Sequence, residues 1–407
     1  MSLLCTVMWV PSVHAVEPQE IYAIRELTVE GLERLHADTV QDLLPRSPPS
    51  QFTGAELLEF ARRTKNLRLF DQVEVEVIDD RVVVTLRQKR TIAPILHLST
   101  GSTIADTSAT LGVIEHNVDG RATRIHAEVS YRERGLNFVA GVEQHPYSPS
   151  RWAQEYEVYY TSSSFRFGSD PPAWVRNRAG GVFEVVSPLS YNSRFQYELA
   201  LLPYFEWSSR TAEMSPESGF HLGWLAEVIY DAYHWDDLAP SGVRLVLELR
   251  PGYLFTGDTF RGEIRFKALA ALRLRSRTAI VAAGQAAAVN RGDPNHSVLL
   301  GSQQGVRGLP DSYYRNAAQA FSSLEVRHAI HLGRRWYLQP VTFVDAAVFQ
   351  PMNSAGAGSA WTTALATGAG LRVLPTAMVD FLLRVDCSRL VMPEGTWFVQ
   401  GGISQYF

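Results

Sequence analysis

The run Trp336-Tyr337-Leu338-Gln339-Pro340-Val341-Thr342-Phe343-Val344-Asp345-Ala346-Ala347-Val348-Phe349 decides the fold. Successive side chains of a strand point to opposite faces. Gln339, Phe343 and Asp345 therefore share one face, and Leu338, Val344, Ala346 and Val348 share the other. One face is apolar and the other carries a carboxylate. Runs of about ten to fourteen alternating residues have the length of tilted membrane strands. Others lie at 123–131, 156–165, 195–205, 222–230, 243–253 and 263–274.

From Pro94 to the end helical periodicity is lost, and about sixteen such runs follow one another, an even number as a closed bacterial barrel requires. Their connections alternate in length. Short ones fall at 118–120, 188–192, 275–277, 332–335 and 374–378, longer ones at 166–177, 207–218, 291–319 and 350–360. Short turns at one end and long loops at the other are the pattern of an outer-membrane barrel. Pro203, Pro251 and Pro340 fall in or near strands and are expected to weaken their ladders.

Composition agrees with a chain that is not wholly water-facing. Of 407 residues, 46% are hydrophobic and only 20% charged, with 9 Trp, 16 Tyr and 19 Phe. A net charge of −4 gives no basic field for nucleic acid. No apolar run reaches the length of a transmembrane helix. The two cysteines, Cys5 and Cys387, cannot make a disulfide framework. Residues 1–15 read as a signal peptide, with an apolar core Leu3–Val10 and a small-residue cleavage pattern Val13-His14-Ala15, although a basic n-region is lacking.

Residues 20–90 read differently. A strand around Ile24, Leu27 and Val29 ends at Gly31, and Thr39–Leu44 makes a short helix stopped by Pro45. Thr53 and Glu56 have capping-box spacing before a second helix with Leu57, Leu58, Ala61 and Leu67 on one face. Val73, Val75 and Val77 alternate with polar residues, Asp79-Asp80 turns the chain, and Val82–Leu86 returns. The expectation is a small α+β domain over 20–90 before a barrel over 92–407.

One stretch has chemistry of its own. Gly305-Val306-Arg307-Gly308-Leu309-Pro310 lies in the polar segment 291–319. An arginine between glycines sits on a backbone free to fold tightly, and inside a protein it needs a carboxylate. Asp345 and Glu325 are the candidates, since strand parity puts both on the polar face. No Gly-x-Ser-x-Gly, His-Glu-x-x-His or phosphate-binding loop is present. His328 and His331 fall on opposite strand faces, which is poor metal geometry. No enzyme, cofactor or metal site is expected.

These pieces resemble the BamA/TamA outer-membrane-assembly superfamily. Residues 24–31, 69–75 and 82–86 resemble its polypeptide-transport-associated (POTRA) domain, in a single copy. Tyr230-Asp231 with Ala239-Pro240-Ser241-Gly242 resembles its Asp…Pro-x-Gly turn. Val306-Arg307-Gly308-Leu309 resembles its loop motif, with Leu309 where an aromatic is usual. Gly368–Arg372 and a last strand with Trp397, Val399, Ile403 and Phe407 resemble its C-terminal strands and barrel-recognition signal, Gln405 departing from the pattern.

The resemblance implies that the loop folds into the lumen and Arg307 pairs with Asp345 and Glu325. It implies an outer-membrane barrel with a periplasmic N-terminal domain whose edge at 73–78 (Val73, Val75, Val77) captures extended client polypeptides. Insertion or translocation would follow by strand templating at the seam between first and last strands, in contact with outer-membrane lipid and accessory proteins. A first strand at 94–101 with Pro94 and Gly101, and a last one with Gly401-Gly402, suit a weak seam. The alternative is a passive pore or structural barrel. Two-partner secretion transporters are a further option, but they carry two POTRA domains and a plug helix.

Overall fold

The computed structural model describes residues 17–100, 108–132, 135–144, 152–165, 174–187, 194–208, 218–236, 238–290, 295–301, 305–309, 314–333, 335–352, 358–379, 381–392, 395 and 397–403. The expected signal peptide at 1–15, Pro310, Gln405 and Phe407 lie outside the described residues.

The N-terminal body contains β1 (Ile21–Ile24), β2 (Glu26–Glu30), α1 (Ala37–Gln41), β3 (Ser50–Thr53), α2 (Gly54–Asn66), β4 (Phe70–Ile78) and β5 (Arg81–Gln88). Its main sheet has the order β2-β5-β4, with β2 parallel and β4 antiparallel to β5. β1 and β3 form a separate pair. Helix α2 begins where the sequence indicates: Thr53 Oγ1 accepts from Glu56 N, and the Glu56 carboxylate accepts from Thr53 N at 2.8 Å. Its buried face runs Leu57–Phe60–Leu67, and Leu58 points outward. The expected face was one residue off because Phe60, not Leu58, meets the sheet's Phe70, Val75, Val82, Val84 and Leu86 in one core.

The barrel starts with β6 (Ile92–Thr100), β7 (Ser108–Glu115), β8 (Arg124–Arg132) and β9 (Gly135–Glu143). Longer strands follow: β10 (Ala153–Phe165), β11 (Trp174–Val186), β12 (Phe195–Ser208), β13 (Gly219–Asp231), β14 (Gly242–Leu254), β15 (Thr259–Arg275) and β16 (Thr278–Val289). After a loop containing the short β17 (Val298–Leu300) come β18 (Tyr314–His328), β19 (Ile330–Gly333), β20 (Trp336–Pro351), β21 (Thr362–Pro375), β22 (Leu383–Met392) and β23 (Trp397–Ile403). All barrel pairings are antiparallel, and β23 pairs with β6, so sixteen strands close on themselves. β17 and β19 are short extensions at the two ends of the β18 ladders.

Alternation fixes what faces where. Leu199, Leu201, Phe205, Trp224, Leu247, Leu249, Phe266, Leu324, Val344 and Val385 are exposed on the outside. A continuous apolar belt of this kind is stable against lipid, not water. Among the described residues no helix is long and apolar enough to cross a membrane, and the strands make the crossing. The prolines act locally. The β11–β12 ladder skips from Gly180↔Tyr204 to Phe183↔Leu201 around Pro203, and β13–β14 skips from Gly223↔Gly252 to Ala226↔Leu249 around Pro251. Pro340 acts likewise on one side: the β20–β21 ladder runs through Pro340↔Leu371, but on the other side pairing skips from Arg327↔Val341 to Ile330↔Leu338, between β18 and β19.

The N-terminal body packs directly on one end of the barrel. His36 N donates to Gly120 O at 2.8 Å, and Ala122 and Val379, from two barrel turns, join the body's own core. At the end of α2, Asn66 Nδ2 donates to Tyr233 O at 3.0 Å while its Oδ1 accepts from Trp235 N at 3.2 Å. The side-chain amide thus pairs with the 232–241 turn as a strand would. That turn is shaped by Asp231, whose Oδ1 accepts from Tyr233 N at 2.9 Å, and by Gly242 at φ +103.

Candidate functional site

The loop between β16 and β18 enters the lumen and turns sharply at residues 305–309. Val306 N donates to Gly301 O at 3.1 Å and Leu309 N to Val306 O at 3.2 Å. Gly308 has φ +103, a conformation that a side chain resists. Val306 and Leu309 are buried in an apolar cluster with Leu300, Ala347, Phe349, Ala364, Ala366 and Leu390. Two apolar side chains thus flank Arg307 and hold its backbone against the wall.

Arg307 is fully buried. Its Nε and Nη2 donate to the two oxygens of Asp345 at 2.8 and 2.7 Å, the bidentate geometry in which arginine exceeds lysine. Its backbone N–H donates to Asp345 Oδ2 at 3.0 Å. Nη1 donates to Glu325 Oε1 at 2.6 Å, and Nη2 to Ser323 Oγ at 2.9 Å. The guanidinium lies 3.4 Å from the centroid of the Phe343 ring, a cation–π contact. Beneath that ring is Gly368, where a Cβ would strike Phe343. Glycine, ring and guanidinium form three layers.

The network extends beyond the two carboxylates named from the sequence. Arg327 Nε donates to Glu325 Oε2 at 2.6 Å, and Arg372 Nη2 to both Glu325 oxygens at 2.9 and 3.0 Å. Ser323 Oγ donates to Asp345 Oδ1 at 2.6 Å. Asp386, on β22, is 3.9 Å from Arg307 Nη1 and 3.6 Å from Arg384 Nη1. Four arginines surround three carboxylates, all buried. Parity on β18 and in the Gly368–Arg372 stretch carried a signal for Arg327 and Arg372. The same parity puts Ser323 and Asp386 on the lumenal face, but their proximity to Arg307 depends on register.

A second pin lies across the lumen. Asn295, in the same loop, accepts at its carbonyl from Arg176 Nη1 at 2.6 Å, and its Nδ2 donates to Glu206 Oε1 at 3.0 Å. Arg261 Nη2 also donates to Glu206 Oε1, at 2.9 Å, and its Nη1 to Tyr204 Oη at 2.9 Å. Asn295 is thus tied to β11, β12 and β15, whereas Arg307 is tied to β18 and β20. The loop spans the barrel from wall to wall.

Elsewhere, β4 is an edge strand of its sheet, paired with β5 alone. Val75 is buried and Val73 and Val77 pack against the core, so what the edge offers is backbone. Ile403, on β23, is the last described residue, paired with Leu383. The seam is short. Among the described residues β23 meets β6 only over Val399–Gly402 and His97–Thr100, whereas β20 and β21 pair from Trp336↔Pro375 to Phe349↔Thr362. β6 itself starts at Ile92, two residues before the expected strand. No three-residue group of metal-ligating side chains is found among the described residues. The arrangement braces the loop against the barrel wall.

No protein-family model matches the sequence, and no curated protein matches it. Solved structures do. The chain is similar to CdiB from Escherichia coli, with 13% identity and a TM-score of 0.64 over 94% of this chain and 76% of that one. CdiB from Acinetobacter baumannii gives 12% and 0.60, over 94% and 74%. BamA from Haemophilus ducreyi lacking POTRA domains 1–3 gives 12% and 0.53, over 94% and 85%. At these identities the likeness is one of fold: this chain has the sixteen-stranded barrel of BamA and CdiB.

Proposed function

We propose that this chain is an outer-membrane member of the BamA/TamA superfamily that inserts or translocates polypeptides by pairing them with an opened seam between β23 and β6. The observation that carries the reading is the seam itself. Each ladder hydrogen bond contributes on the order of 1 kcal/mol net, so the four described register pairs, Val399↔Thr100 to Gly402↔His97, separate at a cost of only a few kcal/mol. A client strand that pairs with the freed edges recovers that cost, because unpaired N–H and C=O groups in lipid are unfavourable.

The rest of the molecule suits the role. The apolar outer belt supports a barrel in the outer membrane, and the N-terminal body is read as periplasmic. That body is read as one POTRA domain: the matched share of the chain, 94%, is more than residues 92–407 alone supply. Its β4 edge offers backbone groups to an extended client by strand addition. Accessory periplasmic proteins are natural partners of such a body. The process needs no cofactor and breaks no covalent bond. The lumen crossed by a doubly pinned loop argues against a passive pore.

Depletion of the protein, followed by quantification of outer-membrane and secreted proteins, tests the reading. Loss of a defined set of them is expected. An unchanged set, together with large stable conductance in planar bilayers that is unaffected by deleting residues 20–90, would favour the pore.

A further inference from the structure

Above the N-terminal body, the lumenal faces of β9 to β14 carry carboxylates in direct cross-strand register. Glu143 pairs with Glu155 and Glu155 with Glu184; Glu198 pairs with Glu227 and Glu227 with Glu248. Like charges directly opposite destabilise a sheet, by roughly 0.2–1 kcal/mol per pair. Among the described residues ion pairs form at the ends of this ladder: Arg124 pairs with Glu143, and Arg250, Arg265 and Lys267 surround Glu248. Among the described residues Glu155, Glu184, Glu198 and Glu227 have no ion-pair partner.

The middle of the ladder borders a cavity of about 270 Å³, opening where the barrel meets the N-terminal body. Its lining includes Glu155, Glu184 and Glu198 from the strands and Asn66 and Arg68 from the body. Five carboxylates line it against three arginines, leaving it net acidic. Gln196 also lines it, on the same face as Glu198. It is only 4% exposed, and its Nε2 has no hydrogen-bond partner among the described residues. A buried amide donor costs free energy unless something accepts from it.

We propose that this vestibule binds a basic segment of an extended polypeptide. Glu155, Glu184 and Glu198 take up a Lys or Arg side chain, with Glu227 adding its charge from beside Glu198 in the ladder, and Gln196 Nε2 donates to a main-chain carbonyl of the same segment. A peptide supplies both groups at once, which a free metal ion does not, and the absence of a three-ligand metal cluster among the described residues agrees. The cavity is smaller than a drug-sized pocket, and it suits one long side chain rather than a bulky ligand. The vestibule rests on the transport reading for the claim that the peptide is a client, but its binding is measurable without it.

The full-length protein in lipid nanodiscs is titrated with a fluorescein-labelled peptide of alternating Thr and Lys, and with its Thr/Gln counterpart. Wild type is expected to bind the Lys peptide at least about tenfold more tightly than the Gln peptide, a difference of about 1.4 kcal/mol, and high salt should erase the preference. The triple variant Glu184→Gln, Glu198→Gln and Glu227→Gln is expected to lose it while keeping or raising heat resistance, since like-charge repulsion is removed. Equal binding of the two peptides by wild type overturns the proposal. So does an unchanged preference in the triple variant. Because the wild-type comparison needs no substitution, a variant that failed to fold would leave the decision intact. A Lys preference that depends on these glutamates, alongside unchanged outer-membrane proteins on depletion, would keep the site and refute the transport reading.

Discussion

Arg307 holds Asp345 by three hydrogen bonds, two from its guanidinium and one from its own backbone N–H. The loop's main chain, not only a side chain, is therefore fixed to β20. Removing one partner of a buried ion pair costs roughly 3–5 kcal/mol, because the other charge is left uncompensated. Arg307→Ala strips Asp345 of its guanidinium, whereas Glu325 keeps Arg327 and Arg372. It should lower the temperature at which the folded barrel loses its fast migration on electrophoresis. Arg307→Lys keeps the charge but loses the fork and should fall between. Wild-type heat resistance in Arg307→Ala would contradict the brace.

The layer beneath the arginine is open to a separate test. Gly368→Val would drive a side chain into the Cys387 carbonyl oxygen and into the Phe343 ring, which also carries the Arg307 guanidinium. Overpacking of this kind typically costs about 1–3 kcal/mol. Heat-modifiability should fall in Gly368→Val and be partly restored by Phe343→Leu, which makes room. Additive losses in the double variant would show that the two residues do not share a layer.

Asn295 should matter to conductance more than to stability. Asn295→Ala removes the side-chain bond to Glu206, keeps the Arg176 bond to the main-chain carbonyl and leaves the Arg307 network whole. The expected outcome in planar bilayers is larger or more frequent openings than wild type, with a stability loss on the order of 1 kcal/mol. Unchanged conductance would mean that the second pin does not close the lumen.

The contact between the N-terminal body and the barrel should weaken in acid. Burial raises the Glu59 carboxyl, but hydrogen bonds and charges from Arg62 and Arg63 outweigh it and hold Glu59 below the usual range. Arg194, from the barrel, reaches the same carboxylate at 3.5 Å, and Arg62 also donates to Tyr233 O at 3.2 Å. A carboxylate with a depressed folded-state pKa contributes stability above its unfolded pKa and loses it as pH falls through the folded value. Protease cleavage near residue 90 should therefore rise below the ordinary carboxylate range. In Glu59→Gln, cleavage should already be elevated at neutral pH and change less on acidification. A wild-type rate independent of pH would rule out this role for Glu59.

Much of this architecture is written in local sequence. The two faces of the 336–349 run appear as read, Asp345 inward and Val344 outward, because a period of two leaves no choice once one face meets lipid. The α2 cap was legible from Thr53 and Glu56 for the same local reason. The outward turn of Leu58 was not, since helical spacing alone did not say whether Leu58 or Phe60 would meet the sheet. The short β3 and its pairing with β1 were missed, because Ser50–Thr53 has no alternation to detect. The Asn295 pin and the glutamate ladder depend on register between strands far apart in sequence. Asn295 lies 119 residues from Arg176. No spacing rule reaches that far.

The central claim is that the β23–β6 junction must open. Leu98 and Gly401 face each other across it, so cysteines at these two positions, with Cys387→Ser to remove the free thiol, should lock the seam under oxidation. In cells depleted of wild type, the outer-membrane and secreted proteins that depend on this chain should fail to appear with the locked variant and return on adding reductant. Normal levels of those proteins with the crosslink fully formed would contradict the account.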